Sequence, residues 1–87
     1  MSVRVDRVPV APLREAYLKS GLRLSDVARA AGWMNPDGHT DTSRVARRLG
    51  LVPWSSRGET RVVEAVNYET AVTLVRALGH DPVDFGV

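Results

Sequence analysis

Apolar residues recur along this chain at two spacings, one helical and one alternating, and the switches between them divide it into elements. Valines at Val3, Val5, Val8 and Val10, with a change of phase near Arg7, predict a strand or extended arm over 2–10. Pro12 is suited to open a helix, and Leu13, Ala16, Tyr17 and Ser20 follow at helical spacing before Gly21. A second helix is predicted over 24–31, with Ser25 and Asp26 near its start and Gly32 at its end. Asn35-Pro36-Asp37-Gly38 is turn chemistry. A third helix follows over 41–49, capped by Thr40 or Asp41 and stopped by Gly50. From Val52 to Thr60, proline, two serines and Gly58 indicate a loop or hairpin tip, and Arg61 to Val66 reads as a strand. Asn67 then caps a helix over 68–79, with Tyr68, Ala71, Leu74, Val75 and Leu78 as its apolar stripe. Asp81 to Val87 has room for one more turn, packed by Phe85.

The valine-rich segments 2–6 and 61–66 are each too short to stand alone, and pairing them would satisfy their backbone groups. The expected fold is therefore mainly α: a compact domain of four to five short helices with a small two- to three-stranded sheet or hairpin. At 87 residues the chain reads as a single domain over 1–87. Within it, 2–10 is an N-terminal arm or strand, 24–50 a two-helix unit, 52–66 a hairpin-like insert, and 68–87 a scaffold helix with a tail.

Composition narrows the function. There is no cysteine, which excludes disulfides and thiolate metal sites and suits a reducing compartment. The apolar runs fall short of the roughly 20 residues that span a bilayer, and the start MSVRVDRV has no apolar signal segment. A cytoplasmic location with no membrane partner is expected. The net charge of +2 is small, but its placement is uneven. Residues 39–61 hold five arginines against Asp41 and Glu59, whereas 62–87 hold four acidic groups against Arg76 alone. Arginine outnumbers lysine eleven to one. That suits forked contact with phosphate or guanine, although a GC-rich genome would give the same bias.

The positive surplus centres on the third helix. At about 100° per residue, Val45, Leu49, Ala46 and Thr42 share one side, Arg44 and Arg47 fall almost opposite, and Ser43 and Arg48 flank them. One face can bury while the other offers guanidinium groups to an anionic partner. A helix of that kind, braced by a second helix across a turn, is what a helix-turn-helix reader of double-stranded DNA requires. The segments Ser25–Gly32 and Ser43–Gly50 also echo each other, which two short amphipathic helices built from the same good helix formers would explain.

The order LSDVARAAG, TSRVARRLG and YETAVTLVRALGHDPVDFG resembles the XRE, or lambda-repressor-like, helix-turn-helix family over roughly two-thirds of the chain. The DTSRVARRLGL stretch before YETAV is similar to small helix-turn-helix proteins of actinobacterial phages. The resemblance implies a repressor-like transcriptional regulator of phage or mobile-element origin, with the first piece as supporting helix and the second as recognition helix. Ala28 and Gly32 stand where that family needs close helix approach and a tight exit. The chain departs from it in the long stretch from Trp33 to Asp41 between the helices, in Arg48 where an apolar residue is usual, and in the insert around 55–59.

In the DNA-binding reading, Thr42, Ser43 and the helix amides hold phosphate, and Arg44 or Arg47 reaches a guanine edge, with Arg47 the expected reader. Arg48, Arg57 and Arg61 would grip phosphates, the last two beside an insert that could act as a wing. The bland alternatives are a solvated helix face for the helical arginines, and for Arg57 and Arg61 a charged loop that keeps a sheet edge apart from other chains. Arg4 and Arg7 could enter a minor groove, but a paired strand fits them better. Trp33 and Trp54 read as packing residues, and His39 and His80 are too poorly accompanied for a metal site. No cysteine nucleophile, glycine-rich phosphate loop or histidine placed near a serine and a carboxylate suggests an enzyme, and no cofactor or small-molecule ligand is indicated. A homodimer would be needed to read a palindrome. Two other functions fit the same sequence: an excisionase-like architectural factor, and an interaction module such as an antitoxin or a phage protein aimed at a host factor.

Overall fold

The computed structural model describes residues 7–56 and 58–87, with the backbone alone at 54–56. The protein is mainly α, as the apolar spacing predicts. In chain order its elements are β1 (Arg7–Pro9), α1 (Ala11–Ser20), α2 (Leu24–Ala31), α3 (Thr42–Arg48), β2 (Trp54–Ser56), β3 (Glu59–Arg61), β4 (Ala65–Asn67) and α4 (Tyr68–Ala77), then a 3-10 turn at Pro82–Phe85. No helix among the described residues is long and apolar enough to cross a membrane.

The helices start and stop where side chains and glycines can satisfy their free backbone groups. The Asp26 carboxylate accepts from the Arg23 amide at 3.0 Å, closing the start of α2. Asp41 and Asn67 cap α3 and α4, accepting from the amides of Arg44 at 3.2 Å and Thr70 at 2.8 Å. At the end of α2, Gly32 takes a left-handed φ of 75°, so the Trp33 amide can turn back to the Ala28 carbonyl at 2.9 Å.

α2 packs against both α3 and α4. The centre of the core is Leu13, Val27, Val45, Leu49, Leu74 and Val75, all of them fully buried. Every one comes from a helical face that the sequence marks as apolar. Phe85 of the final turn packs on the rim of this core, as expected of it.

The sheet differs from the expected pairing of 2–6 with 61–66. β1 pairs antiparallel with β4 in the register Arg7↔Asn67, Val8↔Val66, Pro9↔Ala65. Residues 2–6 lie outside the described residues. The run 61–66 is not one strand but is divided between two sheets. Arg61 ends β3, which forms a hairpin with β2 in the register Trp54↔Arg61, Ser55↔Thr60, Ser56↔Glu59. Val66 belongs to β4, and 62–64 between them take no regular form. Consecutive valines at 62 and 63 break the two-residue period, so one strand could not bury both on the same face. Val66 packs deep opposite Val8, while Val62 is about half exposed.

Candidate nucleic-acid interface

The two-helix unit is braced more tightly than its sequence length suggests. Between α2 and α3 the chain runs out from Trp33 and returns at Asp41, whose amide donates to the Trp33 carbonyl at 2.9 Å. Met34 and Thr40 form a β-bridge beyond that bond. Further out, the Asn35 amide donates to the His39 carbonyl at 2.7 Å and the Gly38 amide to the Asn35 carbonyl at 2.9 Å. The Asp37 carboxylate accepts from the His39 amide at 3.0 Å. The long connection is thus a small closed hairpin with a hydrogen-bonded neck, and the neck sets the separation of the helix ends.

α3 is seven residues long and sharply divided. Val45, Ala46 and Leu49 are buried against the core and Thr42 is half-buried, while Ser43, Arg44, Arg47 and Arg48 are exposed. The arginines are the natural consequence of the spacing: a helix that buries positions 45, 46 and 49 must turn 44, 47 and 48 outward. Arg44, Arg47 and Arg48 line a concavity of about 240 Å³ with Val63 as part of its wall. A second, larger concavity of about 660 Å³ adjoins it, sharing Arg48 and Val63 and adding Arg7 and Arg61, with Glu64 as the acid on its lining. The described residues therefore place five arginines along two connected hollows formed by α3, β3, the 62–64 segment and the β1–β4 ribbon.

These arginines differ in what already holds them. The guanidinium of Arg44 lies over the Trp33 ring, 4.4 Å from its centroid. Arg61 is paired with Glu59 at 3.1 Å, but both side chains are largely exposed, so the pair is worth little. Arg7 donates to the Ala65 carbonyl at 3.3 Å across the ribbon. Arg57 lies outside the described residues. At the N-terminus of α3, the expectation that Thr42, Ser43 and the free amides hold a phosphate meets the Asp41 carboxylate, which takes the Arg44 amide and adds a negative charge at that end.

Two features escaped the sequence. Arg7 was assigned to a paired strand, which it occupies, yet its side chain also lines the second concavity. Only the strand register, which depends on Asn67 far along the chain, brings it there. The Trp33–Arg44 contact depends on the folded path of the long connection, whose turn residues are legible in the sequence but whose geometry is not. Trp33 is a packing residue as expected, buried in the core cluster, and in addition offers a ring face to Arg44.

A further hollow is of another kind. It lies between α1 and the final turn, where the carboxylates of Glu15 and Asp84 share the lining with the ammonium of Lys19, beside His80 and Phe85, so it shows no single charge preference. No family model matches the chain, and comparison with curated proteins and with solved structures gives no match.

Proposed function

We propose that the protein binds double-stranded DNA in a sequence-specific way, with α3 in the major groove, and acts as a repressor-like transcriptional regulator. The observation that carries this reading is the division of α3: Val45, Ala46 and Leu49 are buried against α2 and the core, and the other side presents Arg44, Arg47 and Arg48 without an acidic residue between them. An α-helix with its side chains is about 10–12 Å across, which matches a major groove about 12 Å wide. The second concavity, with Arg7, Arg48 and Arg61, would then meet a flanking phosphate strand. The resemblance to repressor-like helix-turn-helix proteins, and the phage or mobile-element origin that it implies, agree with this reading.

A second reading keeps the DNA and changes the role. The β2–β3 hairpin follows directly on α3, and a hairpin beside a recognition helix can act as a wing, as an excisionase-like architectural factor would use it.

Binding of the full chain to duplex DNA across a salt series tests the proposal. The association constant should fall with salt, at a slope of about −0.9 for each phosphate contact. Replacing Arg44, Arg47 and Arg48 by alanine, one at a time, should weaken binding in each case. Parent-like binding by all three variants would remove α3 as the reader and favour a protein-interaction role. A palindromic sequence recovered from a random duplex library would indicate that two copies bind together.

A further inference from the structure

Arg44 differs from the other arginines of α3 in being fixed at both ends. Its amide is held by the Asp41 carboxylate, and its guanidinium lies on the Trp33 ring at 4.4 Å. Trp33 is itself immobilised. Its amide donates to Ala28 on α2, its carbonyl accepts from Asp41 at the neck, and its side chain is only 9% exposed. The indole is therefore set relative to both helices at once.

We propose that Arg44 is the residue that reads a guanine edge and that Trp33 is its positioning residue; this rests on the DNA-binding reading of α3. A guanidinium stacks through its face and donates in its plane, so a ring beneath it leaves the forked N–H groups free. Among the described residues, no hydrogen bond or ion pair takes up those side-chain donors. The O6 and N7 acceptors of guanine, side by side in the major groove, match that fork. Arg44 also stands in the first turn of α3, the end of a recognition helix that contacts base edges. Arg47, the expected reader, shows no ring contact among the described residues, and it must lose its rotamer freedom on binding. That suits Arg47 to phosphate, where a point charge is enough.

The stack predicts a separation between charge and shape. Arg44→Lys keeps the charge and loses the planar fork, whereas Trp33→Leu keeps an apolar filler and loses the ring. Trp33→Phe keeps a ring. A preferred duplex is first selected from a random library with the full-length parent. Affinities are then measured for that duplex and for versions with each G·C pair changed in turn to A·T, with thermal melting as a check on folding.

Arg44→Lys should lose about ten- to a hundredfold of discrimination at one G·C pair and keep the parent's salt slope. Trp33→Leu should lose discrimination at that same pair, and Trp33→Phe should restore most of it. Arg47→Lys should keep the discrimination at every pair. Full discrimination by Arg44→Lys, or its loss in Arg47→Lys, would overturn the assignment of Arg44. Equal behaviour of the Leu and Phe variants at folded temperatures would overturn the role of Trp33. A parent that selects no duplex and binds none would overturn the DNA-binding reading itself, an outcome distinct from the others.

Discussion

A Cβ placed on Gly50 would come within 2.8 Å of both the Arg14 guanidinium and the Val63 carbonyl oxygen, on a backbone with a φ of 71°. The guanidinium is the end of a flexible side chain and can swing aside. The carbonyl cannot move without shifting the 62–64 segment that walls both arginine-lined concavities. Gly38, at a φ of 90°, has nothing within 4 Å of the same position. Gly38→Ala should therefore cost only the left-handed strain, about 1–2 kcal/mol, and Gly50→Ala should cost at least about 1 kcal/mol beyond it, within the range that overpacking brings. Urea unfolding midpoints of the two variants would show the difference; equal losses would mean that the 62–64 segment yields freely. The sequence marked Gly50 as a helix stop, since any helix end favours glycine. Its second role was not legible there, because the oxygen that forbids a side chain belongs to a residue far along the chain. The contact of Trp33 with Arg44 was hidden for the same reason.

The helices could be read from the sequence because each carries two or more turns of apolar repeat together with a cap. The expected spans 12–20, 24–31, 41–49 and 68–79 agree with the observed helices to within a residue or two at each end. The strands are three residues each, barely one period of alternation, so the pattern over 61–66 could not reveal that it serves two sheets. Caps carry meaning for function as well as for folding. Asp41 caps α3 through its carboxylate, and in the proposed complex that charge would face the phosphates beside the groove. Asp41→Asn keeps an acceptor for the Arg44 amide and removes the charge. Stability should fall by no more than about 1 kcal/mol, the worth of a charge at a helix terminus, while affinity for duplexes of random sequence should rise. Melting curves and binding at fixed salt would check both; unchanged binding by this variant would place Asp41 away from the DNA.

Across the described residues, Arg44, Arg47, Arg48 and Arg61 are gathered by the fold into one band, which Arg7 extends from the other end of the chain. The acidic surplus of 62–87 is spread instead. Glu64 borders the band, while Asp84 sits beside α1 in a hollow of mixed sign. The candidate site was legible in part. The arginines of α3 follow from their spacing, but the second concavity exists only once β1 has paired with β4. Arg7→Ala tests how far the band extends. Its bond to the Ala65 carbonyl is exposed, so stability should change little, whereas the salt slope should become shallower by about 0.9 if Arg7 meets a phosphate. Sequence preference should stay as in the parent. An unchanged slope would leave Arg7 outside the interface.

The bond from the Asp41 amide to the Trp33 carbonyl has one more consequence. Where two helices are joined by an open linker, every residue added or lost changes how they can be set against each other. Here the connection is tied off at its base, and a longer bight beyond the knot costs only closure entropy, about 0.6 kcal/mol for each doubling in length. The span from 34 to 40 is thus an annex whose size is uncoupled from the mutual setting of α2 and α3. The number of residues between these helices is then no measure of their geometry, and this is the place where the chain can acquire new sequence without disturbing the arginine face.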